Sequence, residues 1–209
     1  MNAFKQSGVA LGHQAVTLRS ACLAVALLML ASAASAQQDF SESELEDLLR
    51  VKVRTVQHMA LNPLLVRAVR QQNALGLTQE EINKRDKEWR ATKGPPTPYK
   101  LSLQTSPAGR FLKEQVTRNT TFNEAFLTDN QGANVAAYPA TSDYWQGDEE
   151  KWSNSFNGGE GTIFIGKLAL DESTNTVAAQ VSAPVLDRGK TIGVLVVGVT
   201  INYLQTKLQ

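Results

Sequence analysis

The densest run of chemistry-bearing side chains in this 209-residue chain is Thr141 to Phe156, TSDYWQGDEEKWSNSF. Tyr144, Trp145 and Trp152 offer aromatic walls, and Ser142, Asp143, Gln146, Asp148, Glu149, Glu150 and Lys151 place polar groups between them. Aromatic walls with a few convergent polar groups are what a small-molecule pocket requires. Gly147 lets the backbone turn. Asp148 is placed to cap a short helix over Glu149 to Ser155, on which Trp152 falls three residues after Glu149 and shares its side. The same aromatics would equally pack the segment onto a sheet with their polar tips hydrogen-bonded, and residue types alone leave both uses open. Asp148, Glu149 and Glu150 carry the hard oxygens that calcium takes. However, acids at a helix N-terminus ordinarily complement its dipole, so no metal is expected. The same carboxylates would be the acid and base of a hydrolase, if the chain were one.

What the rest of the chain lacks narrows the chemistry. Cysteine occurs once, at Cys22, and histidine twice, at His13 and His58. Met1 to Arg19 carries Lys5 and Arg19 and no acid, Ala21 to Ala31 is unbroken apolar, and Ala34-Ser35-Ala36 is an A-x-A cleavage pattern. That is the layout of a secretory signal peptide over residues 1–36. The apolar run of about 11 residues is shorter than the roughly 20 that span a bilayer. Cys22 does not follow the run as a lipidated cysteine would.

Cleavage after Ala36 leaves residues 37–209 as a single domain with no cysteine, His58 as the one histidine, and near-balanced charge. Disulfides, cysteine nucleophiles, thiolate metal sites and multi-histidine metal sites are thereby excluded within that domain, and no catalytic triad is expected around the one histidine, which falls on a helix. No phosphate-binding loop is present, and no enzymatic activity or cofactor is expected. The charge balance gives no reason to expect a nucleic acid partner. Export without disulfides fits a bacterial periplasm. No later segment is long or apolar enough to cross a membrane, so a soluble exported domain is expected.

The elements that must position these residues read as helices first and strands afterwards. Gln37 to Asn73 is helical, with an apolar stripe at Leu45, Leu48, Leu49, Val53, Val56 and Ala60 and a break at Asn62-Pro63, where Asn62 caps a second helix. His58 lies on the first helix as an ordinary surface residue. Thr78-Gln79-Glu80-Glu81 is a capping box opening a charged helix to about Arg90. Thr92 to Tyr99, with three prolines and a glycine, is a loop, and Ser106-Pro107 begins a helix to about Arg118.

From there the period changes to that of strands. These are expected over Asn123–Thr128, Ala133–Tyr138, Thr162–Leu170, Thr176–Val185 and Thr191–Ile201. Asp129-Asn130-Gln131-Gly132 and Asp187-Arg188-Gly189-Lys190 are turns. The last strand, almost wholly apolar, belongs in the centre of the sheet, and Gly193 and Gly198 within it mark close approach of another element. The class is α+β: long N-terminal helices on a five-stranded antiparallel sheet, with a helical insertion after the second strand.

In that order of elements the chain resembles the periplasmic PAS-like sensor domains called PDC or Cache domains, over about Glu42 to Leu204. The residues that carry the resemblance are Asn62-Pro63-Leu64-Leu65, Phe126 to Gly132 (FLTDNQG), Thr141 to Glu149 with Lys151-Trp152, and Val181 to Val185 (VSAPV) through Gly189 to Gly198 (GKTIGVLVVG). The resemblance implies a ligand on the concave face of the sheet, beneath the segment after the second strand. It implies a pocket walled by Tyr138, Tyr144, Trp145 and Trp152, with Asp148, Lys151 and Ser182 as polar contacts. Lys151 would hold a carboxylate, and Asp148 or Asp129 an amine, so the ligand would be an organic acid or an amine. The arginine that the family's amino-acid-binding subgroup keeps beside its aromatics is absent.

Members usually sit between two membrane helices and feed an output domain. This chain ends eight residues after Ile201 with neither, so it is expected to report to a separate membrane sensor protein or signalling partner. The stripe from Leu45 to Val56 would serve as a homodimer face, or pack on the domain's own sheet. The competing reading is a ligand-free interaction protein that binds an envelope partner through its N-terminal helices.

Overall fold

The computed structural model describes residues 42–167, 169–171 and 176–200. The expected signal peptide, residues 172–175 between the third and fourth expected strands, and Ile201, where the last strand is expected to end, lie outside them. Helix α1 spans Glu42–Ala60 and α2 spans Pro63–Asn73. The break between them is where Pro63 demands it: proline suits the first helical position, and the Asn62 Oδ1 accepts the Leu64 N–H at 2.9 Å. Helix α3, Gln79–Ala91, opens on a complete capping box, with the Glu81 N–H donating to Thr78 Oγ1 and the Thr78 N–H donating to the Glu81 carboxylate. Helices α4, Pro98–Thr105, and α5, Pro107–Arg118, follow. The expected loop runs as far as Tyr99. The helix begins earlier because Pro98 occupies a first-turn position and Thr97 Oγ1 accepts the Lys100 N–H at 3.1 Å.

The sheet contains β1 (Phe122–Thr128), β2 (Asn134–Tyr138), β3 (Phe164–Ile165), β4 (Ala169–Asp171), β5 (Thr176–Asp187) and β6 (Lys190–Thr200). Strand order is β2-β1-β6-β5-β3, all antiparallel, with β4 also on β5. The single strand expected over Thr162–Leu170 is therefore two short pieces on one neighbour, and the sheet is five strands wide. Strand β6 is central, as its apolar run requires, and Val194 to Val199 are buried. Helix α6, Glu150–Phe156, is the insertion between β2 and β3.

The two faces of the sheet are covered differently. Leu49, Val56, Met59, Leu65, Val69 and Leu112 pack with Ala125, Leu127, Val181, Val185, Leu195 and Val197 in the main core. Leu49, Val53 and Val56 thus turn onto the domain's own sheet, and this part of the stripe from Leu45 to Val56 is not available as a dimer face. Gly193 is the close-approach glycine of this face. A Cβ there would overlap the Thr128 carbonyl oxygen and come within 2.9 Å of Val69 Cγ1 on α2. The opposite face carries a smaller cluster in which Phe126, Ala137, Val194 and Val196 lie under Trp152 and Phe156 of α6. Among the described residues, no helix is long and apolar enough to cross a membrane.

Candidate functional site

The segment Thr141–Phe156 is split between two tasks. Its first half builds a second core with α3 and α4. Tyr144 is fully buried with Ile82, Trp89, Leu103 and Ala133. Its ring lies 5.9 Å from that of Trp89 and 5.8 Å from that of Tyr99. Its hydroxyl meets the Tyr99 hydroxyl at 3.1 Å and accepts Gln72 Nε2–H at 3.2 Å. Asp86 on α3, 4% exposed, accepts the backbone N–H groups of Tyr144 and Trp145 at 2.9 and 3.2 Å and pairs with Arg90. The Trp145 indole N–H donates to Gln131 O at 2.7 Å. Tyr144 and Trp145 therefore clamp a loop rather than present themselves to solvent.

The second half forms α6. Its N-cap is Glu149 with no side-chain capping bond. Asp148, expected as the cap, is exposed and makes no hydrogen bond or ion pair among the described residues. Trp152 stacks on Phe156 with ring centroids 4.9 Å apart, covers the Phe126 cluster, and donates its indole N–H to Asp129 O at 3.3 Å. Tyr138 pairs with Ala125 and packs with the main core, with Lys113 of α5 over its ring at 5.4 Å, on the face away from Trp152. Strand alternation is the reason: its neighbour Ala137 pairs with Phe126 and takes the α6 face. Ser182 shares the α6 face and is fully buried, its Oγ without a hydrogen-bond partner among the described residues.

Of the eight residues expected in the pocket, Lys151 lines the cleft under α6 and the other seven do not. That cleft, about 490 Å³, lies between the first turn of α6 and the sheet. Its sheet wall is Asn123 and Glu124 of β1, Gly198 of β6, and Ala178 and Gln180 of β5; Phe164, Gly166 and Lys167 close one side. Gly198 is what opens the floor. Any Cβ there would overlap Asn123 Oδ1 and reach Glu124 Cγ at 2.7 Å. Over this glycine, Gln180 Nε2–H donates to Glu124 Oε1 at 2.8 Å, bridging β5 and β1 across β6.

Lys151 leans in from above, its Nζ 3.5 Å from Glu149 Oε2 and 5.4 Å from the Phe126 ring centroid. The lining holds three carboxylates (Glu124, Glu149, Glu150) and two ammonium groups (Lys151, Lys167), so it can engage either sign of charge. Asn123 Oδ1 is buried without a hydrogen-bond partner among the described residues. Among the described residues, no three His, Cys, Asp or Glu side chains are grouped to hold a metal ion.

The sheet wall is not among the residues expected in the pocket. Gly198 was the one legible signal, and Glu124 and Gln180 are the polar members of strands whose other face is core. Nothing local says that they meet across a third strand.

Asp129 does structural work at the β1–β2 turn. It is 1% exposed, and Oδ1 accepts the N–H groups of Gln131 and Ala133 at 2.8 and 2.9 Å while Oδ2 accepts Gln72 Nε2–H at 3.4 Å. Burial raises its pKa above the ordinary carboxyl value, and the hydrogen bonds from Gln131, Ala133 and Gln72 oppose this only in part. A carboxyl whose folded pKa lies above its unfolded one binds its proton more tightly in the fold. Its contribution is thus fully present in acid and declines as pH rises through the folded pKa. Asp129→Asn keeps the Oδ1 acceptor and removes this decline. The variant is expected to gain stability relative to the parent on going from pH 4 to pH 7, as read by urea melts at the two pH values. An unchanged difference would locate the raised carboxyl elsewhere.

No protein-family model matches the chain, and no curated protein matches it. Solved structures do. One is the extracellular domain of rpHK1S-Z16, described as a histidine kinase, at 14% identity over 78% of this chain and 61% of that one, with a TM-score of 0.40. Another is the sensory domain of the Campylobacter jejuni chemoreceptor Tlp3 with isoleucine bound, at 17% identity over 80% and 66%, TM-score 0.37. A third is the ligand-binding domain of the Pseudomonas aeruginosa chemoreceptor PctC in complex with GABA, at 13% identity over 80% and 64%, TM-score 0.37. The chain spans 61 to 66% of the length of these three structures.

Proposed function

We propose that this chain is an exported sensor domain of the PDC/Cache type that binds a small organic ligand in the cleft under α6. The observation that carries the reading is the position of that cleft. It opens on the sheet face beneath the segment after β2, where the resemblance in sequence puts the ligand, and polar groups line it from β1, β5, the segment after β3 and the start of α6. A mixed-charge lining on a rigid sheet suits an organic acid held by Lys151 or an amine held by Glu124. Binding would favour one arrangement of α6 and its loop, which a partner reads. The exported, periplasmic location rests on the signal peptide expected over residues 1–36. The partner would be a separate membrane sensor or signalling protein, and no chemical turnover is required.

The test is a thermal-shift screen of the purified protein against organic acids and amines. It is repeated after unfolding and refolding to strip any carried ligand. A ligand at 100 times its Kd adds about 2.7 kcal/mol, or roughly 5–10 °C in a domain of this size. An acid's shift is expected to vanish in Lys151→Ala and an amine's in Glu124→Gln, while Trp145→Ala, away from the cleft, keeps it. A flat screen on folded protein, or shifts that survive both cleft variants, would overturn the reading.

A further inference from the structure

The outer face of α1 and α2 has a charge pattern that the ligand reading does not use. From Leu48 to Gln79 the chain has no aspartate or glutamate, but carries Arg50, Lys52, Arg54, His58, Arg67 and Arg70. Val51 (63% exposed), Arg54, His58 and Leu61 (57% exposed) follow one another at spacings of three and four residues, so they form one stripe pointing away from the core. Leu61 continues into a shallow hollow of about 310 Å³ that it shares with Pro63, Val66, Arg67 and Arg70 of the next helix. Arg70 is held by Asp187 through two hydrogen bonds of 2.9 and 2.7 Å, and Arg50 lies 3.9 Å from Asp47. Arg54 and Arg67 make no ion pair among the described residues. Two exposed aliphatic side chains thus stand beside Arg54 and Arg67, which pair with no acid among the described residues.

We infer that this α1–α2 face docks an acidic surface of a second protein. A two-fold contact centred on this stripe would set its bases against the bases of the other copy, and like charges at an interface are strongly unfavourable. A lipid surface is also a poor occupant. The stripe holds no tryptophan, tyrosine or phenylalanine to seat at the interface, and its aliphatic residues are isolated. Arginines around aliphatic anchors on a rigid helix pair are what protein interfaces favour. The inference stands whether or not the cleft binds a ligand.

The experiment is site-specific photo-crosslinking of the full chain in its own cells, with p-benzoylphenylalanine at Val51 and, separately, at Leu61. The expected result is an adduct with the same protein from both positions, mapping to an Asp- and Glu-rich segment. It should weaken about tenfold or more in the double variant Arg54→Glu/Arg67→Glu, and return when the mapped acids are reversed to lysine. Arg54→Gln/Arg67→Gln removes charge without reversing it and should weaken the adduct less. It also serves as the test if the reversal variant does not fold. Adducts of the chain with itself, no protein adduct, an adduct on a segment without acids, or one indifferent to both double variants would overturn the inference. Binding to phosphatidylglycerol vesicles, lost in the same variants, together with no protein adduct would assign the face to a membrane instead.

Discussion

Replacing Tyr144 with alanine will lower the stability of the domain by about 3–5 kcal/mol, the range for deleting a large buried aromatic side chain. In a domain of this size that is a fall in Tm of roughly 6–20 °C. The side chain is fully buried in the second core, between the rings of Trp89 and Tyr99. Its loss leaves a cavity and strips the Gln72 amide and the Tyr99 hydroxyl of a shared partner. Tyr144→Phe keeps the ring and removes the hydroxyl, so it should cost about 1–2 kcal/mol. The cleft is built from other residues, so any ligand shift should survive in both variants at temperatures where they remain folded. Denaturant melts with and without a ligand from the screen check this. A Tyr144→Ala domain that melts like the parent but no longer responds to ligand would return Tyr144 to the pocket.

Gly132→Ala will be nearly as costly, about 2–6 kcal/mol, because two penalties meet at one atom. Gly132 adopts φ of 84°, a region that side chains other than glycine enter only with strain of order 1–3 kcal/mol. A Cβ there would also lie 2.5 Å from Gly147 Cα and N, backbone that cannot swing aside. Relieving that overlap costs a similar amount. The contact is close because Gln146 N–H donates to Gly132 O at 2.8 Å, pulling the loop after β2 onto the β1–β2 turn. Gly189, with φ of 79° but open space around it, separates the terms: Gly189→Ala suffers the backbone strain alone and should cost clearly less. Equal losses at the two positions would mean that the packing against Gly147 contributes little.

These two residues mark where reading the chain in one dimension succeeds and where it stops. Gly132 was legible as a turn residue, because Asp-Asn-Gln-Gly between two alternating strands admits few conformations. That its missing side chain makes room for Gly147 was not, since the two are brought together only by the folded loop. Tyr144 was legible as a residue of consequence, but residue type could not tell a pocket wall from a core wall. The difference was made by α3 and α4. Asp86 and Trp89 reach the loop from more than fifty residues away: Asp86 accepts its backbone N–H groups, and the Trp89 indole donates to Thr141 O at 2.8 Å.

What the sequence determined by itself is what local rules control. Pro63 and Asn62 split the first two helices, Thr78 and Glu81 open the third, and Asp129 to Gly132 and Asp187 to Lys190 close the two main turns. The almost wholly apolar run from Thr191, rich in β-branched residues, places β6 in the middle of the sheet, because such a strand must be buried on both faces. The tertiary structure alone decided which face each strand residue takes, and so that Tyr138 and Trp152 lie on opposite sides of the sheet. It alone set Glu124 and Gln180 together over Gly198 to make a cleft floor from three strands. The physical reason is that caps and turns are settled by interactions within a few residues, whereas a cleft is settled by strand register and long-range packing, which couple residues that carry no mark of each other along the chain.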